Sequence, residues 1–145
     1  MKIQIGPIHK SQIAHIARIL QANDLPVDDI NNPQIELFAA DLDEKIIGVV
    51  GVEKYGEIGL LRSLAVAHDF KEKGIGKKLV NYFMDWCSQN GIQQVYLLTT
   101  TASKYFSKFG FNTIERNEVP EAIKSTDQFK DICPATAMVM KKIIL

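Results

Sequence analysis

"LLRSLAVAHDFKEKGIGKKLVNYF", residues Leu60–Phe83, joins an apolar strand, a loop with two glycines among lysines, and the opening of a helix. The strand "LLRSLAV" ends near Val66, and the helix opens at about Ile75. It runs to Gln89 with Leu79, Val80, Phe83 and Cys87 on one apolar face, and "NG" at Asn90–Gly91 closes it. The first turn of a helix leaves backbone N–H groups without partners and carries about half a positive charge. Gly74 and Gly76 let an anion approach those amides with no Cβ in the way. Lys77 and Lys78 stand in that first turn, where a cation opposes the dipole by roughly 0.3–1 kcal/mol each. A phosphate held there reverses the local field; the plainer reading is a helix start whose lysines point into water. The loop carries neither the Gly-Lys-Ser/Thr ending of a P-loop nor the third glycine of a dinucleotide fingerprint. The expected ligand is therefore a pyrophosphate bound in some other mode.

Outward from this stretch, "KIQIGPI" alternates as a half-buried strand does. "KSQIAHIARILQANDL" follows as a helix with Ile13, Ile16, Ile19 and Leu20 on one face and Ser11 as its N-cap. "PVDDINNP" is a turn-rich link. "IELFAADLDEKIIGVVGVEKYGEIGLLRSLAV" then reads as three strands with turns near Asp41–Glu44 and Tyr55–Glu57. Beyond the second helix come a buried strand in "QQVYLLTT", a short helix over Ala102–Phe109 ended by Gly110, and a strand in "FNTIER". "STDQFKDI" reads as a capped helical turn and "TAMVMKKIIL" as a last strand. This order predicts a mixed α/β (α+β) sheet with helices on both faces, in one domain over residues 1–145.

The 145 residues suit one domain, and 46% hydrophobic with 23% charged residues is an ordinary globular composition. Lys+Arg and Asp+Glu each count 17, so any basic patch is local and nucleic acid is not an expected partner. Cys87 and Cys133 fit no metal-ligand spacing, and no metal is expected. His15 and His68 have no partner at triad or metal spacing. The opening "MKIQIGPIHKSQ" has no apolar stretch of signal-peptide length and nothing later spans a membrane, which predicts a cytoplasmic protein without a membrane partner. The apolar "AMVMKKIIL" is a candidate for pairing across a homodimer.

"LAVAHDFKEKGIGKKL" resembles the acetyl-CoA signature of the GNAT N-acetyltransferases, Arg/Gln-x-x-Gly-x-Gly/Ala, here Lys71-Glu72-Lys73-Gly74-Ile75-Gly76. Lys71 stands where Arg or Gln is usual; it keeps a charge but not the guanidinium fork. "LLRSLAV" resembles the family's fourth strand and "TASKYFSKFGF" its short helix ending in Gly-Phe. The resemblance covers nearly the whole chain and implies a mostly antiparallel central sheet. It implies acetyl-CoA as co-substrate, held by Leu64, Ala65, Val66, Lys71, Lys73, Gly74, Ile75, Gly76, Lys77 and Phe106, with no metal. "LLTTTASKYFSKFGF", Arg116, Pro120 and "CPATAMVM" are similar to the amino-acid N-acetyltransferase branch, which includes N-acetylglutamate synthase-type domains and small arsenic-resistance N-acetyltransferases.

The implied reaction moves an acetyl group directly from a thioester to a neutral amine of a small amino-acid-like acceptor. A protein or peptide amine, or an acetyl-CoA-binding sensor with weak turnover, are the alternatives. The backbone N–H of Val66 is the implied oxyanion donor. Many family members carry a Tyr four residues before the Gly of Gly-Phe; that position is Phe106, and Tyr105 lies one residue, about 100° of helix, away. Tyr105 is thus either the leaving-group acid or a packing residue. Glu53 and Glu57 flank the hairpin between the third and fourth strands, and Glu53 is the favoured base, with a water as the other route. A bulge in the fourth strand would change which of them faces the cleft. Arg62 is a charge inside an apolar strand and needs a partner. It either receives the acceptor's carboxylate or forms an ion pair with Glu53 or another hairpin acid.

Overall fold

The computed structural model describes residues 2–126, 129–130 and 137–144. The strands are β1 (Ile3–Pro7), β2 (Ile35–Leu42), β3 (Lys45–Tyr55), β4 (Ile58–Val66), β5 (Gln94–Thr99), β6 (Asn112–Ile114) and β7 (Met138–Ile143). The helices are α1 (Ile13–Ala22), α2 (Ile75–Gln89), α3 (Ser103–Ser107) and α4 (Glu121–Lys124), with 3-10 turns at Lys10–Gln12, His68–Phe70 and Arg116–Glu118. Hydrogen bonding orders the strands β1-β2-β3-β4-β5-β7-β6. Only β4 and β5 run parallel among the described pairs, so the mixed, mostly antiparallel sheet expected from the sequence is the one found. Two compact units divide the chain: Met1–Glu53 with Leu61–Trp86, and Lys54–Leu60 with Cys87–Leu145.

In the first unit, α1 buries Ile16, Ile19 and Leu20 against Leu37 and Ala39 of β2, Val49 of β3 and Ala65 of β4. Phe38 lies between Leu37 and Ala39, so the pleat turns it to the opposite face. There it meets Tyr82 and Trp86 of α2, with ring centroids 5.2 and 5.5 Å away. Helices thus cover both faces of this part of the sheet, which explains the unbroken burial of Ile46–Glu53 along β3. Pro7 cannot donate to a ladder, and it sits at the end of the edge strand β1.

The first helix starts differently from expectation. Ser11 lies inside the 3-10 turn and not at a cap; Gln12 reaches back instead, its Oε1 accepting from the His9 N–H at 2.8 Å. At the other end of α1, Asp24 adopts φ 58°, and the Leu25 N–H donates to the Leu20 carbonyl at 2.9 Å, a Schellman ending.

In the second unit, β7 pairs with β5 along Met138–Ile143 and with β6 along Val139–Lys141. Leu60, Tyr96, Val119, Ile123 and Val139 form its core. The expectation that "AMVMKKIIL" pairs across a dimer needs correction: both edges of this strand are already occupied over Val139–Lys141. Gly91 at φ 76° ends α2, with the Ile92 N–H donating to the Cys87 carbonyl at 3.0 Å. Gly110 at φ 92° does the same after α3, which is shorter than the expected Ala102–Phe109. The expected turn over "STDQFKDI" lies partly outside the described residues, as does Cys133.

Candidate active site

The site grows from the end of β4. The Val66 carbonyl accepts from Asn23 Nδ2 at 3.3 Å, and the Ala67 N–H donates to the Ile47 carbonyl at 2.8 Å. The chain then makes the 3-10 turn His68–Phe70, where His68 Nε2–H donates to the Ala22 carbonyl at 2.9 Å. Glu72 and Gly74 are left-handed, at φ 64° and 79°. Gly74 offers its carbonyl to the Lys78 N–H at 3.2 Å and so starts α2. Ile75 is buried and anchors that start, while Lys71, Lys73, Lys77 and Lys78 are exposed around it.

This stretch suits an anion. The first-turn amides at Ile75, Gly76 and Lys77 have no partner four residues back within the helix. A Cβ on Gly74 would meet no atom within 4 Å, so the backbone there is open to a ligand. Lys45 and Lys73 hold their ammonium groups 5.6 and 5.8 Å from the centroid of Phe70, which keeps two cations beside the loop. The residues present therefore fit the diphosphate of a coenzyme.

Earlier on β4, Ser63 adopts φ 57°, a left-handed conformation inside the strand. Beside it lies a buried ionic triad. Arg62 donates from Nη1 to Asp29 Oδ2 at 2.6 Å and from Nη2 to Asp29 Oδ1 at 2.5 Å. Nη1 also donates to Glu53 Oε1 at 2.6 Å, and Nε to Ser63 Oγ at 3.1 Å. The side chains of Arg62, Asp29 and Glu53 are only 1%, 7% and 2% exposed. Burial alone would lower the Arg62 pKa; the hydrogen bonds and charges of Asp29 and Glu53 outweigh it and hold the guanidinium above its ordinary value.

Of the two expectations for Arg62, the structure shows the ion pair with Glu53. Its fork is occupied by Asp29, which the sequence reading did not single out: the residue lies 33 positions away in a polar link. The only signal for it is that a buried arginine with one hairpin acid still has donors to satisfy. Glu57, the other hairpin acid, is exposed in the turn, where its carbonyl accepts from the Gln93 N–H at 2.8 Å.

Leu64–Lys77 thus form one continuous strand, loop and helix start, and Glu53 meets Arg62. Tyr105 and Phe106 belong to the second unit, on α3. Phe106 is buried; Tyr105 packs edge-on against Phe106 and Phe109, with centroids 5.4 and 5.2 Å away. Burial raises the Tyr105 pKa, so its hydroxyl stays protonated at neutral pH. Arg116 donates from Nη2 to the Ala137 carbonyl at 3.1 Å and lies 5.3 Å from the Phe129 centroid.

A model of the acetyltransferase (GNAT) domain matches residues 33–113. An uncharacterised N-acetyltransferase of Chlorobaculum tepidum is 34% identical over 89 residues, covering 61% of this chain and 57% of that protein. The amino-acid acetyltransferase of Neisseria meningitidis is 24% identical over 132 residues, covering 82% of this chain and 29% of that protein. The chain therefore spans less than two thirds of the length of either relative. Among solved structures, N-acetylglutamate synthase of Neisseria gonorrhoeae, complexed with coenzyme A and N-acetyl-glutamate, superposes with a TM-score of 0.84 at 18% identity. That likeness, covering 100% of this chain and 36% of that one, is one of fold.

Proposed function

The chain belongs to the GNAT acetyltransferase family, and from that premise we propose that it transfers an acetyl group from acetyl-CoA to the amino group of a small, amino-acid-like acceptor. One observation carries the coenzyme part: the strand, loop and helix start over Leu64–Lys77, with Gly74 left-handed and open. The whole of residues 1–145 is read as one such domain.

In this reading the backbone of Leu64, Ala65 and Val66 lies along the coenzyme's arm. The amides of Gly74, Ile75, Gly76 and Lys77 hold its diphosphate, and Lys71 and Lys73 add charge. Bound acetyl-CoA would supply the acetyl thioester, with the coenzyme's thiolate as the leaving group. The Val66 N–H donates to the carbonyl oxygen as negative charge grows there. Glu53 is the destination of the amine proton in this reading. Tyr105 and Phe106 are carried by the other unit, and their part in the reading rests on the family resemblance alone.

Kinship with an amino-acid acetyltransferase supports the small acceptor. The closed fork of Arg62 favours a second reading, a peptide amine, because no acceptor carboxylate can take that guanidinium while Asp29 holds it. No helix among the described residues is long and apolar enough to cross a membrane, and a cytoplasmic location is part of the proposal.

Calorimetric titration of acetyl-CoA into the protein and into Gly76→Glu tests the coenzyme site. Micromolar binding that the variant loses supports it; equal or absent binding in both removes it. Release of free CoA with amino acids, and not with peptides, supports the small acceptor. Release only with peptides reassigns the acceptor, and binding with no turnover on either makes the protein a sensor.

A further inference from the structure

The link between α1 and β2, residues 23–34, is tied to β4 at two points that bracket the proposed coenzyme strand. At one end Asn23 Nδ2 donates to the Ile19 carbonyl at 2.8 Å and to the Val66 carbonyl at 3.3 Å. At the other, Asp29 takes the guanidinium fork of Arg62 with two parallel hydrogen bonds of 2.6 and 2.5 Å. Between the ties lie Ser63, Leu64 and Ala65.

Ser63 is the strained member. A non-glycine residue at φ 57° persists only where its surroundings hold it. Its hydroxyl accepts from Arg62 Nε at 3.1 Å, so the pose of Arg62 bears directly on it. Glu53 Oε1 accepts from Nη1 of the same guanidinium at 2.6 Å. Asp29 engages both terminal nitrogens, and a planar fork held by two parallel bonds has one orientation.

We propose that Asp29 is a positioning residue for acetyl-CoA: by closing the fork of Arg62 it holds the left-handed turn at Ser63, and with it the backbone of Leu64–Val66. This rests on the acetyl-CoA reading above. Asn23 serves the same stretch from its far end. The link before β2 then shapes the coenzyme site without touching the coenzyme.

The test is acetyl-CoA calorimetry on the full chain as wild type, Asp29→Asn, Asp29→Glu and Asn23→Ala, with amide hydrogen exchange read at Leu64–Val66. Asp29→Asn keeps the shape and loses the charge. It is expected to weaken acetyl-CoA binding tenfold or more, to speed exchange at Leu64–Val66, and to raise KM for acetyl-CoA more than KM for the acceptor. Asp29→Glu should recover part of the affinity, and Asn23→Ala should lose at least threefold. A merely structural Asp29 would lower the melting temperature and leave the affinity of the folded molecules alone. Affinity of folded Asp29→Asn within twofold of wild type overturns the proposal. Should that variant fail to fold, Asn23→Ala decides by the same twofold limit. If the wild type itself binds no acetyl-CoA, the coenzyme reading falls and this one with it.

Discussion

Replacing Arg62 with methionine removes the cation from between two carboxylates while filling much of its volume. The side chains of Asp29 and Glu53 are 7% and 2% exposed, so water cannot take over the lost charge. Breaking a buried ion pair by removing one partner costs about 3–5 kcal/mol. Arg62→Met strands two carboxylates, which places the expected loss at the upper end, about 5 kcal/mol. A domain of this size has about 5–15 kcal/mol in all, so a third or more of the stability is at stake. At about 2–4 °C per kcal/mol, the melting midpoint should fall by roughly 10–20 °C. Urea unfolding followed by far-UV circular dichroism measures the difference directly. The companion is Arg62→Met/Asp29→Leu/Glu53→Leu, which removes the charges together; apolar replacement of a whole buried triad is often neutral or stabilising. It should lie within about 2 kcal/mol of wild type. A loss below about 1 kcal/mol in Arg62→Met is what an exposed pair gives, and it would refute the reasoning. So would a triple variant as weak as the single one, since the damage would then come from shape and not charge.

Gly48→Ala should destabilise by about 1–3 kcal/mol through overpacking, because its Cβ would meet Leu79 Cδ1 at 2.9 Å and the Ala65 carbonyl at 3.2 Å; thermal melts check this. Burial pushes the Cys87 thiol up to about 12. Its folded pKa lies above the ordinary value of about 8.5, so its contribution to stability is complete below that value and is lost as pH rises through about 12. At pH 8.5 iodoacetamide should leave native Cys87 unmodified and label it in urea, as peptide mass mapping will show; rapid native labelling contradicts the burial. Tyr105→Phe should keep kcat within threefold, since its ring packs on Phe106 and Phe109; a tenfold loss would mark the hydroxyl as a proton donor.

The features legible in the sequence are those with local causes. Helix α2 begins and ends where expected because Gly74 and Gly91 supply the left-handed residues at its two ends. Both hairpin turns fall within the expected ranges, between β2 and β3 and between β3 and β4. The cap of α1 was not legible, since Gln12 closes the turn from inside and Ser11 carries the stronger capping propensity. Arg62 announced that it needed a partner and the hairpin supplied Glu53; Asp29 gave no local sign, as its pairing is created by tertiary folding of a polar link. The place of β7 between β5 and β6 was equally hidden, because an apolar alternating strand reads alike in the middle of a sheet and at its edge.

That placement of β7 has a consequence for biosynthesis. Strands β5 and β6 are translated before it, yet each turns an edge toward the slot that β7 fills. Until residues 138–143 leave the ribosome, those edges present unpaired backbone groups, the template on which nascent chains pair with one another. A slow stretch of synthesis after β6 would lengthen that exposed interval. Aggregation during expression should therefore respond to the rate at which the last strand emerges, even where the finished fold is unchanged.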